Sequence, residues 1–199
     1  MSKKIAITGG IGSGKFCVLR KIKELGFSVF SCDEIYKEII KMPAYIHKIT
    51  EIFPTVIENG EINRQKLADI VFNDKRELEK LNSIAHPLIM ERLYCYMDND
   101  SSNLTFAEVP LLFEGGYEND FDAIIIVVRK EEDRIAAVSL RDNLTEDKVV
   151  SRIKMQNALK FSLGKRTDGR VWLIENDKDV KALEDGVKPL IEEIAKAIS

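Results

Sequence analysis

Residues Gly9-Gly10-Ile11-Gly12-Ser13-Gly14-Lys15 set four glycines and a lysine between an apolar run, Ile5-Ala6-Ile7-Thr8, and a stretch with helical spacing. The pattern is GxxxxGK, the form of a phosphate-binding loop. Glycine lets the backbone turn so that successive N–H groups converge on an anion. The positive end of the following helix adds to that field. Gly10, Gly12, Ser13 and Gly14 are therefore candidate ATP contacts, and Lys15 is placed to reach the β- and γ-phosphates. The next residue normally lends a hydroxyl to Mg²⁺. Here it is Phe16, followed by Cys17, and neither suits a hard cation. The expectation is an intact cradle with a weakened magnesium contact, because Mg²⁺ keeps several waters and leans on substrate phosphates. A glycine-rich turn without a ligand is the plain alternative; the lysine and the flanking elements weigh against it.

Asp33 is the second candidate. It follows Ser28-Val29-Phe30-Ser31, a short strand, at the edge where open α/β sheets bind ligands. A carboxylate there can accept a hydroxyl proton or hold a metal-bound water. A helix N-cap is the competing role. Arg141 and Arg152 are the third group. Residues 141–170 carry eight Lys/Arg and four Asp/Glu in a chain of net charge −3. Lys148, Arg152 and Gln156 recur every fourth residue and share a helical face. Such a face either closes over a triphosphate or stays solvated beside local acids. His86, before Pro87, reads as a packing residue rather than a general base, since phosphoryl transfer depends on positioning and charge stabilisation.

These residues need a scaffold. The chain has 199 residues, 45% hydrophobic and 32% charged, which suits a folded domain. Its charge gives no basic field for nucleic acid. The longest apolar run, Ala123 to Val128, is far short of the roughly 20 residues a membrane helix needs. No leader pattern opens the chain. Cys17, Cys32 and Cys95 show no CxxC spacing, which argues for a reducing compartment. The expectations are a cytoplasmic monomer without nucleic-acid or membrane partners. Strands are expected at 5–8, 28–31, 103–109, 123–128 and 171–174. Helices are expected after Lys15 with a stop at Gly26, at 63–72 and 74–94, after Thr145, and at 178–198 with breaks at Gly186 and Pro189. The alternation predicts an α/β fold with a five-stranded parallel sheet flanked by helices.

Further segments carry a resemblance. They are Thr8 to Lys15, Asp33-Glu34, Gly60/Ile62/Arg64/Leu67/Val71/Phe72, Leu81/Ile84/His86/Pro87, Val109 to Glu114, Arg141-Asp142, Arg152/Gln156 and Ile174/Asn176. In this order, over residues 4–176, they resemble the dephospho-coenzyme A kinase family. The resemblance implies a P-loop kinase fold, with a core at 1–33, 103–140 and 171–199. It also implies a helical acceptor-binding insertion at about 34–94 and a lid at about 141–165. It implies transfer of the ATP γ-phosphoryl to the 3′-hydroxyl of dephospho-coenzyme A, with Mg²⁺. Lys15, Asp33 and Arg141 would be catalytic. Arg152 and Asn176 would join the loop, Phe16 and Cys17 on the ATP side. Arg64, His86, Leu111 and Glu114 would lie with Asp33 on the acceptor side. Departures from the family pattern are Phe16-Cys17 for Ser-Thr, Ser31 for aspartate, Ala137 for arginine, and Arg170-Val171 for Ala-Asp. A kinase with another nucleotide-like acceptor, or a non-catalytic nucleotide-binding regulator, are the alternative functions.

Overall fold

The computed structural model describes residues 2–155 and 169–199. The chain divides into two compact units, one of residues 1–30 and 97–199, the other of residues 31–96.

The first unit is built on a five-stranded sheet in the order β2-β5-β1-β6-β7. The strands are β1 (Lys3–Thr8), β2 (Ser28–Ser31), β5 (Leu104–Glu108), β6 (Ala123–Val128) and β7 (Val171–Glu175). β1 pairs in parallel with β5 and β6, and β6 with β7. The apolar runs of β1 and β6 are covered on both faces, and every residue from Ile5 to Thr8 and from Ala123 to Val127 is buried. Helices α1 (Lys15–Glu24) and α8 (Val180–Ala197) supply one cover. Val18, Leu19 and Ile22 of α1 meet Leu183, Val187, Ile191 and Ile194 of α8 over the sheet. Helices α6 (Glu131–Asp142) and α7 (Glu146–Met155) join through Val138, Val149 and Ile153.

The chain leaves central β1 for β2, works back through β5, then crosses to β6 on the other side of β1. The switch in direction opens a crevice at the carboxyl end of β1, where ligands of such sheets sit.

The second unit holds α2 (Cys32–Ile39), α3 (Pro43–Ile52), α4 (Arg64–Asn73) and most of α5 (Lys75–Asp98). It also holds a hairpin of β3 (Ile57–Glu58) and β4 (Glu61–Ile62), which the sequence reading did not foresee. Asn59 and Gly60 both take positive φ at its turn, the signature of a tight two-residue hairpin.

Two expected boundaries are corrected. The helix expected at 74–94 continues to Asp98, carried by buried Leu93 and Met97. The breaks expected at Gly186 and Pro189 do not occur, and α8 runs unbroken through both. Its buried face, with Val187 and Ile191 either side of Pro189, outweighs the cost of a proline in a helix interior. Gly26, by contrast, ends α1 at φ +90° as expected. Among the described residues no helix is long and apolar enough to cross a membrane. Cys17, Cys32 and Cys95 are all free thiols.

Candidate active site

The glycine loop lies between the end of β1 and the start of α1. Gly9, Gly12 and Gly14 all have positive φ, a conformation that disfavours a side chain. Space excludes one as well. A β-carbon on Gly14 would collide with the Asn176 amide, and one on Gly10 with the Arg134 guanidinium.

The loop's carbonyls are engaged one after another. Lys15 Nζ donates to the carbonyls of Gly9 (2.8 Å) and Gly10 (3.3 Å). Arg134 Nε donates to Ile11 at 2.8 Å, and Arg129 Nη1 to Gly12 at 3.5 Å. Asn176 Nδ2 donates to Ser13 at 2.9 Å, and the Cys17 N–H to Gly14 at 3.0 Å. Backbone carbonyls tied in this way hold the loop's shape without using up all its amides. The partners come from the carboxyl ends of neighbouring strands. Arg129 follows β6 directly, and Asn176 follows β7, its own N–H bonded to Val128.

Ser13 is buried, and its Oγ has no hydrogen-bond partner among the described residues. Buried hydroxyls are seldom left so. An orphaned donor inside a concave run of glycines fits an anion such as a phosphate. Asn176 therefore buttresses the loop, and sequence reasoning missed Arg129 and Arg134. The available signal was a pair of cations just beyond the most apolar strand of the chain.

Phe16 stands in the first turn of α1, and the residue is 73% exposed. It is not packed under the loop, and it gives a metal no oxygen. Among the described residues no group of three His, Cys, Asp or Glu is assembled to hold a metal ion. The protein's fit is to the phosphates; a divalent ion there has to be held mainly by phosphate oxygens and water.

Arg141 and Arg152 converge on one acid. Asp142 accepts from Arg141 Nε and Nη2 at 2.7 and 3.0 Å, and Arg152 Nη1 lies 3.6 Å away. The hydrogen bonds from Arg141, then the nearby charges, hold the Asp142 carboxyl below the usual aspartate range. Both arginines are exposed, and exposed pairs are worth little. Gln156, expected on the same face as Arg152, and residues 156–165 of the expected lid lie outside the described residues.

Glu114 and Leu111 sit in the turn after β5; Glu114 keeps an exposed surface, and desolvation by the surrounding chain raises its carboxyl.

In the second unit, Asp33 occupies the first turn of α2, two residues past the end of β2. The N-cap of that helix is Ser31, so the capping role that Asp33 was also open to is not the one it takes. Its carboxylate is exposed and has no hydrogen bond or ion pair among the described residues. Arg64 opens α4, also exposed and unpaired among them. His86 is half-buried on α5, and that burial lowers its pKa. The neutral imidazole is favoured in the fold, while the unfolded chain takes up its proton near pH 6.5. His86 therefore contributes stability that is present above that pH and lost as the pH falls below it. Thermal melting between about pH 7 and pH 5 should fall less in His86→Gln than in the parent. Parallel curves would refute this.

The comparisons with known proteins decide the family. The dephospho-CoA kinase family model matches residues 3–182. The chain belongs to the dephospho-CoA kinase family. A dephospho-CoA kinase of Fusobacterium nucleatum is 33% identical over 192 residues, covering 96% of this chain and 97% of the relative. One from Bartonella quintana is 31% identical, covering 98% and 99%. A crystal structure from Thermus thermophilus superposes with a TM-score of 0.82 at 28% identity, covering 97% of this chain and 98% of that one. A Campylobacter jejuni dephospho-CoA kinase, at 24% identity and a TM-score of 0.71, shares the fold. The expected α/β kinase fold and the expected family both hold. A dephospho-CoA kinase is an ATP-dependent phosphotransferase of the last step in coenzyme A biosynthesis, and the two alternative functions are not favoured.

Proposed function

We propose that this chain transfers the γ-phosphoryl of ATP to the ribose 3′-hydroxyl of dephospho-CoA through the residues described above. The observation that carries the reading is the glycine loop at the crevice beside β1, with Lys15 drawn over its carbonyls. In the reaction the acceptor oxygen forms a bond to the γ-phosphorus and the bond to the β,γ-bridging oxygen breaks. ADP leaves with those electrons. Asp33 orients the hydroxyl and takes its proton. Its exposed, unpaired carboxylate supports this role.

Loop amides and Lys15 bind the phosphates, and Arg141, released from Asp142, meets the charge on the transferring group. Arg152 and Asn176 serve on the ATP side, as do Gly10, Gly12, Ser13 and Gly14. Arg64, His86, Leu111 and Glu114 serve the acceptor. Of the lid expected at about 141–165, residues 141–155 are described; residues 34 to 94 supply the acceptor-binding insertion. A divalent cation, taken as Mg²⁺, would be held by the nucleotide's phosphates and water, with Asp33 placed to hold a metal-bound water, and would supply charge neutralisation.

An ADP-release assay with an acceptor panel tests the reaction. Dephospho-CoA should outpace every nucleoside monophosphate; a faster monophosphate would overturn the assignment.

Position 16 has its own test. Phe16→Ser restores a hydroxyl where metal ligation by this motif normally begins. The variant should need less magnesium for half-maximal rate and turn over faster at fixed magnesium, with metal-free nucleotide affinity unchanged. An unchanged magnesium profile would show that the ion is held without this position.

A further inference from the structure

Arg134 stands one turn into α6, after the acidic residues Glu131, Glu132 and Asp133. Its side chain makes no ion pair with any of them and reaches the glycine loop instead. Nε is fixed to the Ile11 carbonyl at 2.8 Å, and the guanidinium fills the space where a Gly10 side chain would be. Nη1 and Nη2 have no hydrogen-bond partner among the described residues. The group is half-buried and, being an arginine, keeps its charge. Burial without a counter-ion disfavours that charge, and Glu131 offsets it only at a distance.

Nη1 and Nη2 are not among the buried polar atoms left without a partner, so they reach solvent beside the loop and are open to donate to an anion in a forked geometry. Of the neighbouring cations, Arg141 and Arg152 face Asp142, while Arg129 likewise reaches a loop carbonyl, Gly12, with its buried Nε unpartnered among the described residues. We propose that Arg134 is a phosphate-binding residue of the donor site. Its Nε anchors the loop, and Nη1 and Nη2 are donated to phosphate oxygens of the nucleotide. The proposal rests on the phosphate-loop reading above.

The test measures binding of inorganic tripolyphosphate, ATP and adenosine to the full chain, for the parent, R134Q and R134K. Charge-assisted hydrogen bonds of this kind are worth about tenfold or more in affinity. R134Q should weaken tripolyphosphate and ATP by about that factor and leave adenosine unchanged. R134K keeps the charge but cannot bond the Ile11 carbonyl and a phosphate bidentately. It should fall between the two with the same selectivity, and it decides the matter if R134Q does not fold. Equal losses for all three ligands would mark a purely structural residue and overturn the proposal, as would no loss. A parent that binds ATP and turns over dephospho-CoA, with R134Q and R134K at parental tripolyphosphate affinity, refutes Arg134 alone. A parent that does neither refutes the reading of the site.

Discussion

Lys15→Ala should reduce kcat/KM for ATP by roughly a thousandfold, while the protein still folds. The ammonium group does two jobs. It bonds the Gly9 and Gly10 carbonyls, and it places a cation at the start of the loop. Alanine removes the charge from the phosphates and also frees two carbonyls. The core beneath does not depend on it, because Ile5, Ile7, Val18 and Ile22 pack without Lys15. Melting should therefore shift only slightly, since each lost hydrogen bond is worth about 1 kcal/mol. Lys15→Arg separates the two jobs. It keeps the charge on a broader, planar head that fits the loop badly, so ATP binding should partly survive while turnover stays low. Near-parental turnover in Lys15→Ala would remove this lysine from the mechanism.

Arg141→Ala is expected to cost about 10³-fold in kcat, the scale of an arginine that meets charge on a transferring phosphoryl group. Its pairing with Asp142 makes the result interpretable. If the pair were only structural, Asp142→Asn would hurt as much as Arg141→Ala. If Asp142 merely parks the guanidinium between turnovers, Asp142→Asn should change kcat by no more than a few-fold. ATP affinity should then hold or improve. Arg152 also faces Asp142, so a variant lacking Arg141 leaves Arg152 free to partner that acid or the phosphates. Arg141→Ala with normal turnover would show that Arg152 carries the charge. The double variant would then lose it.

Much of this was legible locally. β6 is a run of Ala, Ile and Val with no polar residue, and a six-residue β-branched run of this kind suits a strand covered on both faces. Gly12, Gly14 and Gly26 sit at positive φ, where L side chains are strained, so their places in the chain announced a loop and a helix stop. Lys15 follows the loop by covalent connection. Asp33 is singled out in the sequence by its place two residues past a strand, but whether it caps the helix was undecidable until Ser31 was seen to be the N-cap.

Phe16 showed that the metal contact departs from the motif; only the folded chain shows its ring turned out to solvent. The passage through Pro189 was decided by the face it buries, since a local penalty yields to packing with residues more than 160 positions away. The ties on the loop were likewise invisible in one dimension. Ile11, Gly12 and Ser13 take their partners from Arg134, Arg129 and Asn176, separated from them by 123, 117 and 163 positions. The sequence by itself determined that a phosphate loop exists here, because turn conformation, the glycine requirement and a following lysine are properties of neighbours along the chain. Which cations and amides hold that loop was decided by the parallel sheet, which gathers the carboxyl ends of β1, β6 and β7 at one edge.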